Sequence, residues 1–303
     1  FTDTVGEGNR AGVVLDADGL DAAAMLRIAV AAGASETAFG FRASDPADHD
    51  LEVRYFSRAH ELPLCGHATI AFRHVRAQEL GLRSAALRVK TGAGVLAVGI
   101  QSQDDRIRVV MTQRAPRVLK TLSAQETAQV HAALGLAASD AVAEWPVQVV
   151  CTGHAKVIVP VRDWPALAAL APDRERLIAI SAWVGATGYF PFTLDAQRDD
   201  VLYHGRMFAP ASGVDEDPVT GNAHGPAGFY LLERGHLHLA PGATCRYRAA
   251  QGETMGRPGV IEVSLNRQSD GSVCVRITGD AVIARRVAMD FGAQAGACHG
   301  SLL

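Results

Sequence analysis

This 303-residue chain repeats itself, and the repeat constrains its fold more than any other feature of the sequence. Residues 54–68 read RYFSRAHELPLCGHA and residues 206–223 read RMFAPASGVDEDPVTGNA. Both open on Arg-x-Phe and reach Glu-x-Pro-x-x-Gly, then His or Asn, then Ala. The matched positions are Glu61, Pro63, Gly66, His67 and Ala68 against Glu216, Pro218, Gly221, Asn222 and Ala223. Gly33-Ala34 lies 21 residues before Arg54, and Gly185-Ala186 lies 21 residues before Arg206. GNRAGVVL at 8–15 parallels GHAKVIVP at 153–160. An ordered series at near-constant spacing is the mark of a duplicated supersecondary unit. It predicts two homologous halves: a lobe over 1–117 completed by residues near 282–291, a second over 118–281, and a tail over 292–303.

Helix and strand signals alternate in both halves. Asp21 is placed to N-cap a helix closed by Gly33. Strands are expected at 35–41 and 51–57, and a helix from about Ala68 to Leu80, stopped by Gly81. Further strands are expected at 87–90, 95–100 and 106–111. Ser123 and Glu126 have the spacing of a capping box, opening a helix that ends at Gly135. Strands at 147–151 and 156–161, a helix at 173–184, and strands at 188–193 and 201–208 follow. The last elements are a helix from about Ala223 to Arg234 and a hairpin, 259–266 with 272–278, around Ser269-Asp270-Gly271.

Composition excludes several classes of function. Apolar residues make up 48% and charged residues 20%, a core-forming balance. With a net charge of −3, no basic field points to nucleic acid or to an anionic membrane. No run approaches the roughly 20 apolar residues of a membrane span. The five cysteines, Cys65, Cys151, Cys245, Cys274 and Cys298, form no C-x-x-C pair, so neither a disulfide framework nor a zinc knuckle is expected. FTDTVGEGN at the start shows no signal-peptide pattern, and the expected compartment is the cytoplasm. Gly92-Ala93-Gly94 opens no helix, and Gly252 to Gly256 lacks the Lys-Ser/Thr of a phosphate loop, so no nucleotide cofactor is expected.

Two similar halves predict a cleft faced by two equivalent helix starts. A helix N-terminus offers free N–H groups and a positive dipole end, which suit a carboxylate. The expected ligand is therefore a small carboxylate-bearing molecule. Chemistry is expected where the halves differ. The first carries Glu36 in Ser35-Glu36-Thr37-Ala38-Phe39, and the second carries Gly188 at the matching place. Partial burial of Glu36 is expected to raise its pKa toward the range of a general base. His67 sits in a first helical turn and Asp217 immediately before Pro218, each able to relay a proton or orient a ligand. Cys65 could serve as a thiol base, but the repeat puts Thr220 where a second thiol would stand, which favours a buried, inert cysteine.

Gly8-Asn9, SETAF (35–39), RYFS…ELPLCGHAT (54–69), GRMFAPASGVDEDPVTGNAHGP (205–226) and QGETMGRPGVIEV (251–263) together resemble the PhzF-like phenazine biosynthesis family, in its YddE-type branch. The likeness runs over about residues 1–291. It implies an α+β, diaminopimelate-epimerase-like fold: two pseudo-symmetric lobes, each a β-barrel-like sheet around a central helix. It implies an isomerase that moves a proton within its substrate without a cofactor or metal. Glu36 is then the shuttling carboxylate, and His67 and Asp217 are the other catalytic residues. Asn9, Gly66, Gly221 and Asn222 bind substrate, with Asn222 in place of the family's serine. A homodimer is implied as well. The rival readings are an amino-acid epimerase or racemase using Cys65, and a binding protein that kept the fold without the reaction.

Overall fold

The computed structural model describes residues 1–103 and 106–289. The 292–303 tail and Cys298 lie outside the described residues. The chain forms two compact units, one from Phe1–Thr112 with the described residues from Thr278 onward, the other from Gln113–Ile277.

The first unit contains β1 (Ala11–Val14), α1 (Ala22–Ala32), β2 (Glu36–Arg42), β3 (Leu51–Ser57), β4 (Glu61–Leu62), α2 (Gly66–Glu79), β5 (Ser84–Thr91), β6 (Gly94–Gln103) and β7 (Arg106–Thr112). Asp21 Oδ1 accepts the Ala24 N–H at 2.7 Å, and Gly33 closes α1 in the left-handed conformation at φ 67°. The helix is the crossover between β1 and β2, which run parallel with Ala11 opposite Glu36. β3 pairs antiparallel to β2, and β5, β6 and β7 continue the sheet. Helix α2 packs against β1, β2, β6 and β7, so strands from both ends of the sheet close around it. Ala68, Ile70, Phe72 and Val75 are accordingly buried, as a helix enclosed on several sides requires. A Cβ on Gly40 would stand 2.4 Å from Phe72 Cζ, so glycine in β2 is what admits the helix this closely.

The second unit contains β8 (Arg117–Thr121), α3 (Ala124–Leu134), β9 (Gln148–Cys151), β10 (Ala155–Pro160), α4 (Trp164–Ala168), α5 (Arg174–Val184), β11 (Gly188–Thr193), β12 (His204–Gly205), β13 (Met207–Ala209), β14 (Val214–Asp217), α6 (Gly221–Glu233), β15 (Thr244–Gln251), β16 (Gly259–Arg267) and all of β17 (Val273–Gly279) but its last two residues. It repeats the plan of the first. β10 and β11 run parallel across a helical crossover, and α6 packs against β9, β10 and β16. The capping box at Ser123 and Glu126 is formed.

The repeat also shows in its side chains. Arg54 grips Glu61 with two hydrogen bonds of 2.7 and 2.6 Å while its guanidinium lies 5.4 Å over the Phe56 ring. Arg206 grips Glu216 through two bonds of 2.9 Å, 4.8 Å over Phe208. Arg-x-Phe with a downstream Glu is thus a structural staple, a bidentate pair stacked on a ring.

Three details depart from the sequence reading. Helices α2 and α6 begin two residues earlier than expected, so Gly66-His67 and Gly221-Asn222 lie inside the first turn. The expected strand 201–208 is split into β12 and β13, because its partner opposite Arg206 is Pro191, which accepts the Arg206 N–H at 2.9 Å but has no N–H to return. Strands β1, β4, β8, β14 and β15 and helix α4 have no counterpart in the sequence reading; all but β15 are five residues or fewer, and β8 and β15 carry exposed arginines.

Candidate active site

In the first unit, three segments meet at His67. Glu36 opens β2 directly after the α1 crossover, His67 is the second residue of α2, and Asn9 precedes β1. Glu36 Oε2 lies 3.1 Å from His67 Nε2, with the two side chains 13% and 9% exposed. Ser35 Oγ lies 3.3 Å from the same nitrogen and within bonding distance of Asn9 Oδ1 and the Arg10 carbonyl. The Asn9 carboxamide is 3.3 Å from His67 Nδ1, and Cys65 Sγ is 3.4 Å from that nitrogen. The turn is fixed from below. Tyr55 and Thr69 hydroxyls bond at 2.7 Å, and Thr69 donates to the Cys65 carbonyl at 2.7 Å.

The expectation that burial raises the Glu36 pKa is corrected here. Burial does push the carboxyl up, but the hydrogen bond and charge of His67, the Ser35 hydroxyl and the charge of Arg58 outweigh it. The net shift is below the ordinary value of 4.5. Burial likewise works against a charged His67, and the Cys65 sulfur and the Glu36 carboxylate overcome it, raising His67 well above 6.5. Glu36 is thereby held as a carboxylate at neutral pH. Burial pushes the Cys65 thiol up from 9.0, leaving it protonated at neutral pH.

In the second unit, Asp217 ends β14 and accepts a short hydrogen bond from Thr220 Oγ1. Gln251 ties this turn together. Its Nε2 donates to the Asp217 carbonyl at 2.6 Å and to Thr220 Oγ1 at 3.2 Å, and its Oε1 accepts the Thr220 N–H at 3.1 Å. The same oxygen lies 3.1 Å from His224 Nε2. Burial pushes His224 down to about 4, so the ring is neutral. Its Nε2–H faces the Gln251 oxygen, and its Nδ1 accepts from Tyr203 at 2.9 Å. Asn222 lies in the first turn of α6, and its Oδ1 is buried with no hydrogen-bond partner among the described residues.

The matched strands differ in a way that only the register reveals. Glu36 faces Ala11 across β1 and β2, while Gly188 faces Lys156 across β10 and β11. A Cβ on Gly188 would stand 2.8 Å from Lys156 Cδ and 2.3 Å from Met207 Cε. The lysine stem therefore fills the place where the first unit has its acid. Met207 in turn pairs with Asp217. Lys156 is 5% exposed, and among the described residues its Nζ has one long hydrogen bond, 3.5 Å to the Ala155 carbonyl. Burial pushes its pKa down to about 8 against the attraction of Asp217 and Cys151.

The PhzC-PhzF family, described as phenazine biosynthesis-like protein, matches residues 1–286. The chain belongs to this family. It is 40% identical over 285 residues to the uncharacterised isomerase YddE of Escherichia coli K12, with 93% of each chain covered. It is 29% identical over 283 residues to trans-2,3-dihydro-3-hydroxyanthranilate isomerase of Pseudomonas chlororaphis, with 91% of each covered. The crystal structure of a PhzF-family phenazine biosynthesis protein of Bacillus anthracis superposes with a TM-score of 0.83 at 30% identity, over 93% of each chain. The α+β, epimerase-like architecture expected from the resemblance is the one observed in this PhzC-PhzF member.

Among the proposed site residues of this family member, Asn9, Glu36, Gly66 and His67 are brought together in the first unit. Asp217, Gly221 and Asn222 are brought together in the second. Sequence reasoning missed Ser35, Lys156 and Gln251. Ser35 and Gln251 stood in quoted segments, SETAF and QGETMGRPG, without a role. Lys156 lay in the GHAKVIVP repeat and is one of three lysines in the chain, with Lys90 and Lys120, and neither fact gave it a role. No helix among the described residues is long and apolar enough to cross a membrane.

Proposed function

We propose that this PhzC-PhzF isomerase moves a proton from one carbon to another within a small carboxylate-bearing substrate, using Glu36 as the shuttle and no cofactor. The observation that carries the reading is the Glu36–His67 couple, 3.1 Å apart and largely shielded from water, in which His67 holds the Glu36 carboxyl below its ordinary pKa and so ionised. An ionised carboxylate is ready to take a proton from carbon, and the carboxylic acid it becomes returns that proton at a second carbon. His67 balances charge on both sides of the step, and Asn9 and Ser35 hold its ring. In this reading the N–H groups of Gly66 and Gly221 and the Asn222 amide bind substrate, and Asp217 orients or relays.

Gly66 supports a close approach of ligand to backbone. A Cβ there would meet only Met111 Cε, at 3.7 Å, so the protein's own packing does not demand glycine. The racemase reading is less favoured, because the Cys65 thiol is protonated and Thr220 stands at the matching position.

The test is hydrogen exchange in deuterated water, followed by NMR. The probes are trans-2,3-dihydro-3-hydroxyanthranilate and a panel of small unsaturated and amino carboxylates. Deuterium is expected at a carbon of at least one probe. Glu36→Gln is expected to lose the exchange while keeping fold and ligand-induced thermal stabilisation. Exchange at full rate in Glu36→Gln overturns the mechanism. Stabilisation by carboxylates with no exchange in the native protein supports a binding protein instead.

A further inference from the structure

We propose that Glu36, Cys65 and His67 form a three-ligand site for a thiophilic divalent cation, zinc first of all, and that its binding blocks the isomerase by capturing the base. This goes beyond the proton-shuttle reading, and its binding arm does not depend on turnover.

The ligand atoms are already gathered. One carboxylate oxygen, one imidazole nitrogen and the sulfur all lie within 4.8 Å of one another. Cys65 Sγ is 3.4 Å from His67 Nδ1 and 3.9 Å from Nε2, and Glu36 Oε2 is 3.1 Å from Nε2. With zinc–sulfur near 2.3 Å and zinc–nitrogen or zinc–oxygen near 2.0–2.2 Å, tetrahedral ligand atoms stand about 3.3–3.6 Å apart. The Glu36–His67 side of the set is close to that spacing and the sulfur side is wider, so an ion held by Nε2 requires the Cys65 and His67 side chains to turn toward Glu36 as it binds.

The scaffold is rigid where it needs to be. Glu36 is held between Ala11 and Ser57 in the sheet, and Cys65 and His67 flank the first residue of α2. Mixed sulfur, nitrogen and oxygen donors select zinc-like ions over magnesium or calcium, which take oxygen ligands. Three protein ligands leave the fourth tetrahedral position for water or substrate, with Ser35 and Asn9 beside it.

The proton balance is explicit. Cys65 gives up its thiol proton as the metal–sulfur bond forms, and the coordinating nitrogen of His67 gives up any proton it carries as the metal–nitrogen bond forms. Glu36 coordinates as the carboxylate it already is. The released protons pass to solvent, so affinity rises with pH. While the ion is bound, the Glu36 lone pair is unavailable to a carbon-bound proton.

The experiment titrates the purified protein with Co²⁺ and follows thiolate-to-cobalt charge transfer. Zn²⁺ affinity is then measured by competition and by calorimetry in two buffers of different ionisation enthalpy. A charge-transfer band, displaced by Zn²⁺, with release of protons to the buffer, is expected. Cys65→Ser is expected to lose the band. Because loss of an outer-sphere partner alone costs about 10–100-fold in metal affinity, His67→Gln and Glu36→Gln are expected to weaken Zn²⁺ by at least that. The native exchange reaction is expected to be lost on adding Zn²⁺ and restored by a chelator, and whatever exchange Cys65→Ser shows is expected to be insensitive to Zn²⁺. No thiolate band in the native protein, or a Zn²⁺ affinity unchanged in Cys65→Ser and His67→Gln, overturns the site. A bound ion that leaves exchange at full rate overturns the inhibition. Absence of exchange with every probe, in a protein that still shows the band, counts against the shuttle reading and leaves the metal site supported.

Discussion

Lys156 crosses the face of Gly188 in the second unit, at the position where the first unit sets Glu36 against Ala11. The duplication has exchanged an acid on one strand for a base on its neighbour. The buried ammonium carries a stability cost. Its pKa falls from 10.5 to about 8, a difference that corresponds to about 3 kcal/mol. Between those values the unfolded chain binds more protons than the folded one, so stability rises with pH across that window. Lys156→Met is therefore expected to raise stability by about 1–3 kcal/mol at pH 7, with the gain shrinking toward pH 10. Urea unfolding midpoints at the two pH values measure it, and a gain that does not shrink contradicts the account.

The twin arginine pairs allow a direct comparison of burial. Arg54 and Glu61 are 36% and 43% exposed, while Arg206 and Glu216 are 9% and 19% exposed. Arg206 also donates to the carbonyls of Leu167, Ala168 and Leu170. Breaking a buried pair by removing one partner costs about 3–5 kcal/mol, and an exposed one under about 1. Arg206→Met should then unfold at much lower urea than Arg54→Met, although the sequence treats the two as equivalents.

The Glu36–His67 couple sets a pH window. Glu36 has a lowered folded pKa, so its stabilisation is present above its ordinary 4.5 and is lost as pH falls through the folded value. His67 has a raised one, so its stabilisation is complete below 6.5 and is lost as pH rises through the folded value. Their joint contribution is greatest between 4.5 and 6.5. In His67→Gln the carboxylate loses its partner. The acid limb of the exchange rate should move to higher pH, toward or above 4.5, as followed in a pH–rate profile.

Two glycines should respond oppositely to alanine. Gly66→Ala places its Cβ in ordinary contact with Met111 Cε at 3.7 Å and should change stability by no more than about 1 kcal/mol while weakening ligand binding. At Gly225 a Cβ would fall 1.7 Å from Gln113 Oε1, whose amide holds the Gly221 carbonyl at 3.0 Å, so Gly225→Ala should cost about 1–3 kcal/mol. Thermal unfolding with and without a stabilising carboxylate separates the two. A destabilised Gly66→Ala would remove the argument for backbone approach at that turn.

The sequence alone determined the duplication and the helix caps at Asp21, Gly33 and Ser123, and it supplied the proposed set Asn9, Glu36, His67, Asp217 and Asn222. Those features are written locally, in spacing and in residue type. Charge states and pairings were decided only by the tertiary structure. Burial by itself argues for a raised Glu36 pKa. The imidazole that reverses the sign comes from α2, far along the chain, and its distance from Glu36 appears in no local pattern. The same holds for Gln251, which ties Asp217 to Thr220 from β15, and for Lys156, whose contact with Gly188 exists only through the parallel register of β10 and β11. Electrostatic effects fall off over a few ångströms in space and are indifferent to separation along the chain. The repeat could therefore mark where the halves differ, and only the fold could show what each difference does.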